Sequence, residues 1–133
     1  MSTSIIILAA GQGKRMNSAL AKVLQPLAGR PLLQHVVECS RDVGADDICV
    51  VYGHGGDEVR AFFDGEDIRW TLQAEQLGTG HAVQQAMPGT PDDNRVLILF
   101  GDVPLLRPQT LTMLFDGCRR GEVGVLTVDM DNP

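Results

Sequence analysis

Three apolar runs, at residues 4–10, 48–52 and 96–100, constrain this chain more than any other feature. Each is continuous rather than alternating, rich in Ile and Val, and followed or closed by a glycine (Gly11, Gly53, Gly101). A strand with one face in water alternates apolar and polar residues, whereas a strand covered on both faces is apolar throughout. The runs therefore predict central strands of a parallel sheet. Between the first two, Pro31 opens a stretch in which Leu32, Leu33, Val36, Val37 and Val43 recur at helical spacing, and Gly44 closes it. Strand, Gly-rich loop, helix and strand make a crossover of the kind that joins parallel neighbours.

The pattern then repeats less cleanly. Residues 57–63 predict a short helix, 68–72 a strand, 79–87 a helix, 108–119 another helix and 123–128 a last strand. The expected fold is an α/β, Rossmann-like domain with helices over a mostly parallel sheet. Its last strand has no helix after it, so the domain is expected to be incomplete at its C-terminus.

Composition narrows the function. The 133 residues carry a formal charge of −6, which argues against a general nucleic-acid binder, since that needs a basic face to displace counterions from phosphates. A phosphate site must then be local, built from cations such as Lys14, Arg15 and Lys22. The apolar start is too short to cross a membrane and lacks a basic leader, so a cytoplasmic protein without membrane contact is expected. Cys39, Cys49 and Cys118 show no ligand or disulfide spacing and are expected to be buried apolar side chains.

Three motifs follow predicted strands. Leu8-Ala9-Ala10-Gly11-Gln12-Gly13-Lys14-Arg15-Met16 stands where the first strand becomes a loop. In open α/β sheets ligands gather at the carboxyl ends of strands, and a Gly-rich loop there lets backbone N–H groups converge on phosphate. Ala9 and Ala10 would let a flat base approach the backbone, and Arg15 can grip two phosphate oxygens. A plain turn with solvated cations is the alternative. The spacing fits neither a dinucleotide fingerprint, which needs a glycine at Met16, nor a Walker loop, which needs four residues between its glycines.

Phe100-Gly101-Asp102-Val103-Pro104-Leu105 places Asp102 at the same sheet edge. A hard, acceptor-only carboxylate there suits Mg²⁺, which takes one or two carboxylates plus phosphate oxygens; a turn aspartate is the alternative. In the third motif, Gln73-Ala74-Glu75-Gln76-Leu77-Gly78-Thr79-Gly80-His81-Ala82, the Gln73 amide offers the donor and acceptor needed at a uracil edge. Gly78 permits close backbone approach, and Thr79 can cap the next helix or touch a ligand. His81 is expected to be structural or solvated, and His35 and His54 lack ligand spacing. Trp70 is expected in the core.

Together these segments resemble the nucleotidyltransferase family. More narrowly, they are similar to the uridyltransferase half of the bacterial bifunctional N-acetylglucosamine-1-phosphate uridyltransferase / glucosamine-1-phosphate acetyltransferase family. Lys22-Val23-Leu24 and Leu27-Ala28-Gly29-Arg30-Pro31-Leu32 extend the likeness, as does Val51-Tyr52-Gly53-His54-Gly55-Gly56. Residues 1–133 would then be the N-terminal part of the uridyltransferase domain, with its remainder and a left-handed β-helix acetyltransferase domain outside the chain.

The resemblance implies Mg²⁺-dependent conversion of UTP and N-acetylglucosamine 1-phosphate to UDP-N-acetylglucosamine and pyrophosphate, serving peptidoglycan and lipopolysaccharide precursors. It also implies a homotrimeric parent that acetylates glucosamine 1-phosphate from acetyl-CoA. Leu8, Ala9, Ala10 and Gly11 would cradle uridine, Gln73 and Gly78 would read uracil, and Arg15 and Lys22 would bind phosphates. Thr79, Phe100, Gly101 and Asp102 would line the sugar-nucleotide site, with Asp102 on the metal; Arg15, Lys22 and Asp102 are the expected catalytic residues. Ala21 stands where the family usually has proline, and Phe100 where it has tyrosine. A pyrophosphorylase for another sugar or base, or a regulatory nucleotide-binding module without chemistry, stays open from the residues alone.

Overall fold

The computed structural model describes residues 2–10, 22–53 and 56–127. Strand β1 (Thr3–Leu8) is followed by a single 3₁₀ turn at Lys22–Leu24 and two short strands, β2 (Pro26–Leu27) and β3 (Arg30–Pro31). Helix α1 (Leu32–Val43), β4 (Asp47–Gly53), α2 (Asp57–Phe62), β5 (Arg69–Gln73), α3 (Thr79–Ala86), β6 (Arg95–Phe100) and α4 (Pro108–Asp116) complete the order. The main sheet has four strands in the order β5-β4-β1-β6, every neighbouring pair parallel. The α/β fold with a parallel sheet is as the sequence predicts.

The topology follows from the apolar runs. Ile5, Ile6 and Ile7 of β1 are completely buried because helices cover both faces. Ile5 and Ile7 pack with Leu33, Val36 and Val37 of α1, Val59 of α2 and Leu111 of α4. Ile6 faces the other way, with Cys49, Val51 and, from α3, Ala82 and Ala86. Gly44, in the left-handed region at φ 92°, ends α1. Trp70 is partly buried against Phe63 and Tyr52, with ring centroids 6.0 and 5.9 Å away.

Several expectations need correction. Residues 123–127 form no strand; Val123 and Val125 are 91% and 73% exposed. Their β-favouring side chains pair with no strand among the described residues, and propensity alone does not make a strand; Val128 lies outside the described residues. Helix α3 stops at Ala86 because Pro88 has no N–H to continue the ladder, and a 3₁₀ turn over Met87–Gly89 takes its place. Helix α4 ends at Asp116, capped by Gly117, rather than at residue 119. Cys39 and Cys49 are buried as expected, and burial pushes both thiols above their usual range, whereas Cys118 is only partly buried.

The β2–β3 hairpin is unanticipated. Ala28 and Gly29 turn it with φ of 54° and 81°, and the His35 ring bonds to the Leu27 carbonyl at 2.6 Å, fixing it on α1. The hairpin carries the chain from the turn bearing Lys22 to α1.

Candidate active site

All four main strands run the same way, so Leu8, Gly53, Gln73 and Phe100 end at one edge. The strand order reverses at β1: β4 and β5 lie on one side and β6 on the other, and loops diverging from such a point leave a crevice. A cleft of about 350 Å³ opens there. Leu8, Ala9 and Ala10 line it from β1, Gln73, Gln76, Gly78 and Thr79 from the β5–α3 segment, and Phe100 and Asp102 from the end of β6. Lys22 completes the rim.

The loops are held by main-chain bonds. Ala9 N–H donates to the Val51 carbonyl at 2.8 Å and Gly101 N–H to the Leu8 carbonyl at 3.0 Å. Gly101 is closely packed: a Cβ there would stand 3.2 Å from Val23 Cγ1, 3.3 Å from Leu33 Cδ1 and 3.3 Å from the Leu8 oxygen, so those neighbours would have to give by a few tenths of an ångström. Val23 and Leu24 are buried and pin the 3₁₀ turn, so Lys22 is set against the β6 loop. Its Nζ lies 3.1 Å from Asp102 Oδ2, with the two side chains 51% and 35% exposed. An ion pair that open is worth about 0–1 kcal/mol, so an incoming phosphate or cation displaces it at little cost.

On the other wall, Gln73 is 2% exposed, yet its side chain lines the cleft. Its Nε2 donates to the Gly78 carbonyl at 3.2 Å and lies 3.0 Å from His81 Nδ1. Gly78 has φ 103° and ψ 176°, a region essentially reserved for glycine, and it turns the loop into α3. Gly78 is itself the N-cap, without a side-chain cap bond, so Thr79 is the first helical residue and not the cap. His81, expected to be structural or solvated, is partly buried with its ring against the Gln73 amide.

The structure thus brings Leu8, Ala9, Ala10, Lys22, Gln73, Gly78, Thr79, Phe100 and Asp102 to one cleft, with Gly101 beneath it. Gly11 and Arg15 lie outside the described residues. Gln76 and Ala82 also line the cleft and were missed by sequence reasoning. Gln76 carries a second amide within the quoted motif, three residues after Gln73, and that repetition was the available signal.

A family model for the MobA-like NTP transferase domain matches residues 5–132. The bifunctional protein GlmU of Acinetobacter baumannii (strain AYE) is 55% identical over 133 residues, which is 100% of this chain and 29% of that relative. Among solved structures, Rv0371c of Mycobacterium tuberculosis H37Rv in complex with manganese is 20% identical, with a TM-score of 0.73 over 87% of this chain and 59% of that one. A UDP-glucose pyrophosphorylase complexed with UDP-glucose is 19% identical, with a TM-score of 0.74 over 89% and 55%. These two share the fold. By sequence, cleft position and fold together, the chain belongs to the MobA-like NTP transferase domain family.

Proposed function

We propose that this chain forms the uridine-nucleotide part of the active site of a UDP-N-acetylglucosamine pyrophosphorylase. The observation that carries the proposal is the shared cleft: Gln73 and Gly78, suited to a base, face the same space as Lys22 and Asp102, suited to phosphates and their counter-cation. The similarity to a protein named bifunctional GlmU supports a uridyltransferase in particular, within a longer parent that also acetylates glucosamine 1-phosphate. A homotrimeric, cytoplasmic parent is part of the same proposal.

A phosphate oxygen of N-acetylglucosamine 1-phosphate would attack the α-phosphorus of UTP. One P–O bond forms to the sugar phosphate, the α–β bridging bond breaks, and pyrophosphate leaves. The attacking oxygen is already anionic, so the protein needs no general base and acts by alignment and charge neutralisation. The backbone at Leu8, Ala9 and Ala10 would support the uridine and Lys22 the phosphates. Gly11 would extend the uridine cradle and Arg15 would bind phosphates, as the family resemblance implies.

Asp102 offers one hard oxygen donor, and no group of three His, Cys, Asp or Glu that could hold a metal occurs among the described residues. That donor set fits a cation such as Mg²⁺ that takes its other oxygens from phosphates and water, rather than a resident metal cage. The manganese in the Rv0371c complex supports a divalent ion at this fold. When bound, Mg²⁺ would supply charge neutralisation at the reacting phosphates.

The test is pyrophosphate release by the full-length protein with Mg²⁺, presenting UTP, CTP, ATP and GTP in turn with N-acetylglucosamine 1-phosphate and glucose 1-phosphate. Turnover should require UTP and N-acetylglucosamine 1-phosphate; UTP binding without turnover on any sugar phosphate would favour a regulatory module.

A further inference from the structure

The amide of Gln73 has a defined orientation, and His81 holds it. Amide nitrogen and oxygen are often interchangeable by shape, so the partners must decide between them. The Gly78 carbonyl carries no hydrogen, so the Gln73 atom 3.2 Å from it is the NH₂ nitrogen. The same carbonyl also accepts the Ala82 N–H at 3.1 Å, which fills its two lone pairs and fixes it in place.

The second Gln73 hydrogen points to His81 Nδ1 at 3.0 Å. Nδ1 must then accept, which puts the imidazole in its neutral form with the proton on Nε2. Gln85 Nε2 stands 3.3 Å from that Nε2 and donates to the His81 carbonyl at 3.4 Å. A neutral ring cannot accept from both amides. The Gln85 amide, whose carbonyl contact is the longer, is the one that turns over, giving up that contact to offer the ring N–H an oxygen acceptor.

With both hydrogens committed, Gln73 has no donor left for a ligand. Only Oε1, an acceptor, remains. We propose that His81 is a positioning residue for base selection: its Nδ1, together with the Gly78 carbonyl, locks the Gln73 amide so that this side chain presents an acceptor alone, matched to the N3–H of uracil. Cytosine has a lone pair at N3 and would set acceptor against acceptor. A freely turning amide could adapt to either base, so the selectivity resides in the lock and not in Gln73 itself. The proposal rests on the uridine-nucleotide assignment of the cleft.

The experiment measures dissociation constants of UTP and CTP, each with MgCl₂, for the full-length protein and for His81→Leu and His81→Asn. Leucine keeps bulk without an acceptor, whereas asparagine can place Oδ1 where Nδ1 stands. Loss of the lock should reduce the CTP/UTP ratio of dissociation constants about tenfold in His81→Leu, the scale of one specific hydrogen bond at a polar binding site. His81→Asn should restore the ratio to within about threefold of the parent.

An unchanged ratio in His81→Leu overturns the proposal, as does an equal loss of both nucleotides in both variants, which marks a merely structural histidine. A parent protein that binds UTP and CTP equally overturns the uridine assignment and the proposal with it. Should the variants fail to fold, nitrogen NMR of the His81 ring in the unaltered protein still decides. A bare Nδ1 is expected, and a protonated Nδ1 contradicts the lock.

Discussion

At the amino edge of the sheet Thr3, Asp47, Arg69 and Arg95 open the four strands; at the carboxyl edge Leu8, Gly53, Gln73 and Phe100 close them. The amino edge binds itself together. Arg69 reaches Asp47 through two bonds at 3.0 and 3.3 Å, the Thr90 hydroxyl at 3.1 Å and the Ala86 carbonyl at 3.3 Å. Thr3 N–H donates to Asp46 at 2.8 Å, and Asn94 donates to the buried Ser4 hydroxyl at 2.8 Å. At the carboxyl edge, by contrast, the Lys22–Asp102 pair stands open to solvent. The same sheet therefore uses polar side chains for cohesion at one edge and leaves charge accessible at the other. Mutations should separate the two, changing stability at one edge and chemistry at the other.

The largest effect expected is from Asp102→Asn in the full-length enzyme: turnover should fall at least about a hundredfold, as when one preorganised electrostatic contact is lost. The melting temperature should move little, because the carboxylate's only described ion-pair partner is the half-exposed Lys22. Steady-state pyrophosphate release and a thermal melt check both halves. Near-normal turnover would remove Asp102 from the chemistry.

Arg69→Leu tests the opposite edge. It leaves Asp47 and the Thr90–Ala86 pair without their common donor, and folding should weaken by about 2 kcal/mol, roughly thirtyfold in the equilibrium. Denaturant unfolding measures the loss. The UTP dissociation constant of the folded fraction should stay within about twofold, since Arg69 lies at the far end of its strand from the cleft; a larger shift would couple edges that are held here to be separate.

Lys22→Met is the smallest and sharpens the contrast. One charge-assisted contact to phosphate is lost, so UTP affinity by calorimetry should drop about tenfold while the melt stays unchanged. A stability loss as large as that of Arg69→Leu would mean that the ion pair with Asp102 is cohesive after all.

Much of the fold was legible because burial on both faces writes itself as unbroken Ile and Val, as in β1 and β4. In β6 the same signal overstates the outcome. Leu97 and Leu99 are buried, but Val96, Ile98 and Phe100 are 36%, 41% and 46% exposed, because α3 packs chiefly on β1, β4 and β5 and leaves that face of β6 largely uncovered among the described residues. A one-dimensional pattern specifies what a strand can bury, not which neighbour covers it. For the same reason residues 123–127 carried strand propensity without a strand. At the candidate site, residue type and position at a strand's carboxyl end sufficed to nominate Gln73 and Asp102, whereas Lys22 was nominated by its charge and by the family resemblance. The bond between Gln73 and His81 was not legible, since it depends on the loop conformation at Gly78 that brings two residues eight apart into contact. Gln76 and Ala82 were passed over because nothing in their type separates cleft lining from ordinary surface or core.

The register of β1 against β6 also has a consequence in time. Thr3 and Arg95 are bonded neighbours although 92 residues separate them, and β1 pairs with β4 across more than forty. A parallel sheet has no hairpin shortcut between such strands, and long closures of this kind slow folding. On a ribosome adding about 5–20 residues per second, β1 waits on the order of 5–20 s after its synthesis for its second partner strand to be made. Ile5, Ile6 and Ile7 thus spend that interval without the strand that will flank them, and it is then that a chaperone or an early contact with α1 matters most.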